Sequence, residues 1–102
     1  MLPQLSAESR REALQKATEY RQRRAKVKTA LKSQEITLQQ VLDLVETDEA
    51  IAKMRIKALL ESLPRVGERR AAQIMEELNI SSTRKLRGLG RLQRQGLLEK
   101  FS

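Results

Sequence analysis

The sequence predicts an all-α fold of five or six helices around one small core. Three observations carry that expectation. Apolar residues recur at spacings of three, four and seven along most of the chain. No stretch alternates convincingly as a strand does. The run Leu63-Pro64-Arg65-Val66-Gly67 has the form of a helix stop, a tight turn and a helix start, and Leu86-Arg87-Gly88-Leu89-Gly90 repeats it 23 residues later.

In chain order, residues 1–5 form a short tail broken by Pro3. Ser6-Ala7-Glu8-Ser9 offers an N-cap followed by an acidic residue, which starts a helix. Nothing breaks that helix before about Ser33. Its apolar stripe is Ala13, Ala17, Tyr20, Val27 and Leu31, thin and interrupted by Arg24, so it is expected to pack lightly. Thr37 and Gln40 fit a capping box, with Ile36 and Val41 as a hydrophobic staple. Val41, Leu42, Leu44 and Val45 make the next helix a core element. Thr47-Asp48-Glu49 caps a further helix to about Ser62, with core contacts from Ile51, Met54, Ile56, Leu59, Leu60 and Leu63.

Pro64 cannot continue that helix. Gly67 is expected to supply a close or left-handed backbone. Ala71, Ala72, Ile74, Met75 and Leu78 then form an apolar helical face, and Asn79 is the stop. Leu86 anchors the connection that follows Ser81-Ser82-Thr83-Arg84-Lys85. Gly88 and Gly90 make the second turn, and a last helix runs from Arg91 to Phe101 with Leu89, Leu92, Leu97, Leu98 and Phe101 on its buried side. Leu97, Leu98 and Glu99 repeat Ile74, Met75 and Glu76.

The charge narrows the function. The net charge is +8 over 102 residues. Residues 1–35 carry nine cations and four acids, residues 36–62 three and five, and residues 63–102 nine and four. The acidic middle is expected to be core, and both basic ends to face a polyanion, with nucleic acid the first candidate and an anionic membrane surface the second. Tyr20 to Lys32 holds six cations and no acid. There is no Cys and no His, which excludes disulfides and the usual zinc sites and removes the commonest general base. No catalytic residues, metal or cofactor are therefore expected. Aromatic residues are Tyr20 and Phe101 alone, too few for a stacking platform for single strands. With no apolar run of spanning length and no signal-like segment, no membrane partner is expected, and the chain is placed in the cytoplasm.

Helix starts present free N–H groups that suit anions. The Val66 and Gly67 amides are such donors here. Two ordinary packing turns are the bland alternative, but the repeat, with arginines in or beside both turns, favours phosphate.

Residues 49–101 resemble a helix–two-turn–helix module. The resemblance rests on Leu63-Pro64-x-Val66-Gly67-x-x-Arg70-Ala71-x-x-Ile74-Met75-x-x-Leu78-x-Ile80, then Arg84-Lys85-x-Arg87-Gly88-Leu89-Gly90. The whole chain, basic N-terminal helix included, resembles the actinobacterial-type integration host factors. That resemblance implies a nucleoid-associated protein that binds duplex DNA and contributes to phage integration and chromosome organisation. It adds a phage integrase complex as a partner and the nucleoid as location. The turn region alone also resembles a small-subunit ribosomal protein and the DNA-binding module of some glycosylases. Such hairpins often carry Gly where this chain has Arg65.

The expected site follows. Pro64, Arg65, Val66 and Gly67 form the first phosphate turn, with Arg69 or Arg70 adding charge. Arg84, Lys85 and Arg87 form the main cationic patch, with Thr83 bonding a phosphate oxygen and Gly88 and Gly90 shaping the second turn. Arg21, Arg24 and Lys28 on the N-terminal helix meet a second stretch of backbone or a second duplex, so that one monomer bends or bridges double-stranded DNA. Residues 1–35 are the basic arm and 36–102 the helical core with the module. Two alternatives stand: RNA or ribosome binding through the same hardware, and a helical protein-interaction or recombinase-accessory module.

Overall fold

The computed structural model describes residues 6–101; the expected tail at residues 1–5, with Pro3, lies outside them. Among the described residues there are six α-helices and one 3₁₀ turn, with no regular strand. Helix α1 spans Ala7–Lys32, capped by Ser6, whose hydroxyl accepts the Ser9 N–H at 3.0 Å. Its end is a Schellman motif: Gln34 sits at φ 64°, Gln34 N–H donates to Leu31 O, and Glu35 N–H donates to Ala30 O.

The light packing expected of α1 holds for its first half alone. Ala13 and Ala17 are exposed, whereas Val27 and Leu31 are buried in the core. The exposed early turns draw the molecule out, to a radius of gyration of 15.5 Å, against about 13 Å for a typical domain of this length.

Helix α2, Leu38–Asp43, carries the expected capping box: Gln40 N–H donates to Thr37 Oγ1, and Thr37 N–H to Gln40 Oε1. Val41 and Leu42 are buried; Leu44 and Val45 follow the helix and are half-buried.

The single helix expected from Asp48 to Ser62 is two helices, α3 (Glu49–Ala52) and α4 (Ile56–Glu61). The cause is tertiary. Arg55 takes an extended conformation and forms an isolated antiparallel bridge with Lys85. Ile56 N–H donates to Arg84 O at 3.0 Å, and Leu86 N–H to Met54 O at 2.8 Å. These bonds replace the helical ones that the Ile56 N–H and the Met54 carbonyl would have made.

Helix α5, Glu68–Glu77, buries Ala71, Ile74 and Met75. Ala72, expected on that face, is exposed. Asn79 is the stop, at φ 56°, and the buried Ile80 closes a second Schellman motif through its N–H to Met75 O at 2.8 Å. After the 3₁₀ turn Leu86–Gly88, helix α6 covers Arg91–Lys100. Leu97 is its buried residue; Leu98, Leu89 and Phe101 pack at the core's edge. Leu92 is 78% exposed, contrary to expectation. A Cβ on Gly96 would lie 2.5 Å from Leu78 Cδ2, so this glycine lets α6 approach Leu78 closely.

Candidate nucleic-acid interface

The two turns share one backbone device. Val66 N–H donates to Leu63 O at 3.2 Å, and Leu89 N–H donates to Leu86 O at 3.0 Å. Leu63, Val66 and Leu86 are buried, Leu89 half so. Gly67 and Gly90 are then the N-caps of α5 and α6. The repeat in the sequence is thus a repeat of this bond and cap, while the backbones differ between them: Arg65 is left-handed, and its counterpart Gly88 has no positive φ and ends a 3₁₀ turn.

Two expectations change at the first turn. Gly67 has φ −92° and is extended; the left-handed residue is Arg65, at φ 64°. That explains why a glycine suits the Arg65 position in turns of this kind. The Val66 amide is spent inside the turn, so the donors left for an anion are those of the first turn of α5: Gly67, Glu68, Arg69 and Arg70. No side chain caps this end. A Cβ on Gly67 would meet nothing within 4 Å, so neither packing nor dihedral demands glycine, and the open backbone allows close approach. Pro64 is half-buried, while Arg65, Arg69 and Arg70 are exposed around it. Lys57 pairs with Glu68 at 3.4 Å, which offsets the one acid at this end.

The second turn is closed more tightly. Gln93 Oε1 accepts Gly90 N–H at 2.9 Å, while Gln93 Nε2 donates to Asn79 O at 2.9 Å. Arg84 Nη1 donates to Gly88 O at 2.9 Å, and a Cβ on Gly88 would lie 2.9 Å from Arg84 Cδ. Gly88 therefore makes room for Arg84. Thr83 is exposed, its hydroxyl 3.3 Å from that of Ser81.

A strongly basic groove of about 500 Å³ lies between α1 and the Lys53–Ala58 segment. Six cations line it: Arg21, Arg24 and Lys28 from α1, Lys53 and Arg55 from the break between α3 and α4, and Lys85 from the loop before the second turn. No acid lines it. Arg21, Arg24 and Lys28 lie on one helical face by their spacing. The Arg55–Lys85 bridge sets the opposite wall. Lys28 also lines an adjacent groove with Lys32, Glu61 and Ser62. Lys32 Nζ donates to Glu61 O at 3.1 Å and Leu63 O at 3.0 Å, so the cationic face of α1 reaches the first turn.

Acidic residues beside this groove are tied down. Arg23 Nε meets Asp48 Oδ2 at 2.8 Å. Tyr20 donates its hydroxyl proton to Glu49, which also pairs with Lys53 at 3.1 Å. Lys16 and Lys53 lie 5.6 and 5.5 Å from the Tyr20 ring centre. The bond to Glu49 raises the Tyr20 phenol above its ordinary range. The same bond, then Lys53, holds Glu49 below the usual carboxylate range. For Asp48 partial burial pushes upward, but the Arg23 bond and the Ile51 N–H outweigh it and the net shift is downward.

The expected patch of Arg84, Lys85 and Arg87 is divided. Lys85 faces the basic groove, Arg84 braces its own turn, and Arg87 lines a different groove with Asp43, Glu46 and Arg94. Lys53 and Arg55 were not anticipated. Their signal was the Lys53-x-Arg55-x-Lys57 spacing, which suits an extended segment rather than one helical face. Among the described residues no helix is long and apolar enough to cross a membrane.

Residues 31–101 match the family described as S13-like H2TH domain. The chain is 54% identical over 100 residues to an integration host factor of Mycolicibacterium smegmatis, covering 98% of this chain and 95% of that protein. The counterpart from Mycobacterium tuberculosis is 53% identical over the same shares, and that from Streptomyces coelicolor 47%, over 98% and 94%. Among solved structures, that of sIHF bound to an 8bp palindromic DNA superposes with a TM-score of 0.84 at 45% identity, covering 86% of this chain and 99% of that one.

Proposed function

This chain belongs to the integration host factor family, and on that premise we propose that it is a nucleoid-associated protein that binds double-stranded DNA by the phosphate backbone. The observation that carries the reading is the groove in which six cations from three separated segments converge with no acid among them. Cations and open amides grip phosphate without reading base edges, so little sequence preference follows. Arg21, Arg24, Lys28, Lys53, Arg55 and Lys85 form the main contact surface. The first turn of α5, with Gly67, Arg65, Arg69 and Arg70, forms a second. Thr83 and Arg84 immediately precede Lys85 in the chain and supply further phosphate contacts; Arg87, in the groove shared with Asp43 and Glu46, has a lesser part.

Two surfaces on one monomer are what bending or bridging needs, and we place chromosome organisation and phage integration, with the integrase complex, among the processes served. The division at residues 35 and 36 is then one of role: the arm supplies one groove wall, and residues 36–102 the H2TH module. The role is architectural rather than catalytic, performed in the cytoplasmic nucleoid.

Competition between random duplex DNA and structured RNA at equal salt tests this. Duplex DNA should displace the RNA. Tighter binding of the RNA would move the assignment to the ribosomal use of the same module, and binding of neither would leave a protein-interaction role.

A further inference from the structure

Helix α6 turns an unusual face to solvent. Leu92 is one of two large hydrophobic side chains that stand exposed among the described residues, at 78%. Beside it runs the row Arg91, Gln95, Glu99, all exposed, with half-buried Leu98 on the row's other flank. The buried Leu97 lies on the opposite side of the helix. Arg91, Gln95, Leu98 and Glu99 border an open groove.

The row is an i±4 ridge, the kind that interdigitates when two helices cross. It is also self-complementary. Gln95 lies four residues from the cation and four from the acid. A two-fold axis near Gln95 lays the ridge beside its own reversed copy, with Arg91 against Glu99 of a second copy and Glu99 against its Arg91. Leu92 and Leu98, flanking the ridge, are covered in the same contact. An isologous contact requires such self-complementarity.

We propose that the exposed face of α6 docks a second copy of this chain, antiparallel and two-fold symmetric about Gln95. A ten-residue helix buries far less than the roughly 1,200–2,000 Å² of a stable complex. The free chain is therefore monomeric at ordinary concentration. Neighbours held on one duplex see each other at far higher effective concentration, and there the contact forms. That last step rests on the DNA-binding reading; the docking face does not.

The chain has no cysteine, so a single engineered one reports proximity. The full-length Gln95→Cys variant is oxidised beside a Gln73→Cys control, which places the thiol on exposed α5. At high protein concentration without DNA, disulfide dimers should form faster in the Gln95→Cys variant, and on a saturated duplex faster again, by about tenfold or more. Adding Arg91→Glu or Glu99→Arg to Gln95→Cys should slow the reaction in each protein alone. An equimolar mixture of those two should restore it, because the mixed pair has opposite charges at both contacts. Equal rates for Gln95→Cys and Gln73→Cys without DNA, or a mixture no faster than its components, would overturn the docking face. A preference for position 95 that gains nothing on duplex would overturn its use on DNA.

Discussion

Arg65 and Gly67 exchange the roles that their residue types suggest. The sequence signal for a left-handed backbone is glycine or asparagine, so Asn79 was legible and Arg65 was not. The repeat of Leu63, Val66 and Gly67 in Leu86, Leu89 and Gly90 was legible because both turns need an apolar anchor, a second apolar contact and a cap. A left-handed conformation costs a side chain about 1–2 kcal/mol. Arg65→Gly should therefore keep or raise the thermal midpoint, while Arg65→Val, β-branched, should lower it. Tyr20 gives a second test at this scale. It is the chain's one tyrosine, with no tryptophan to obscure it. Its phenol is raised by Glu49, so absorbance titration should place ionisation above 10, and Glu49→Gln should bring it down. Conversely, Asp48, Glu49 and Glu77 are held low. A lowered carboxylate stabilises the fold above its unfolded value, near 4, and that contribution is lost as pH falls through the folded value. Tyr20 fluorescence should report loosening of the α1–α3 contact below about pH 4.

The elements were legible where local signals were strong. The capping box of α2 and the Ser6 cap of α1 stand as read. The break between α3 and α4 was not legible, because the bonds that make it come from Arg84 and Leu86, some thirty residues away in sequence. Nor did the thin stripe of α1 reveal that its last turns enter the core. Leu31→Ala should cost about 2–5 kcal/mol of stability by denaturant unfolding, while Leu14→Ala, on the exposed half, should stay within about 0.5 kcal/mol. For the same reason, removing residues 1–32 should destabilise what remains, since it strips Val27 and Leu31 from the core. Removal of the described residues before Ala17 should leave cooperative unfolding intact. Leu86→Asp would bury a charge at the point where the 3₁₀ turn is anchored, and should unfold the protein.

For the whole molecule, charge by segment located the basic ends, while the groove that joins them needed the fold. Arg21, Arg24 and Lys28 lie far from Lys85 in sequence, and the Arg55–Lys85 bridge completes the wall opposite them. The affinity for duplex DNA, measured across a range of salt, tests this most directly. With roughly 4–8 phosphate contacts per monomer, log K should fall with log salt at about −0.9 per contact. Combined reversal at Lys28→Glu and Lys85→Glu should weaken binding and flatten the slope by about 2, whereas Arg87→Glu, in the groove shared with Asp43 and Glu46, should change it little. A flat salt titration of the parent, or an unchanged affinity and slope in the Lys28→Glu, Lys85→Glu protein, would contradict the assignment of this groove to DNA.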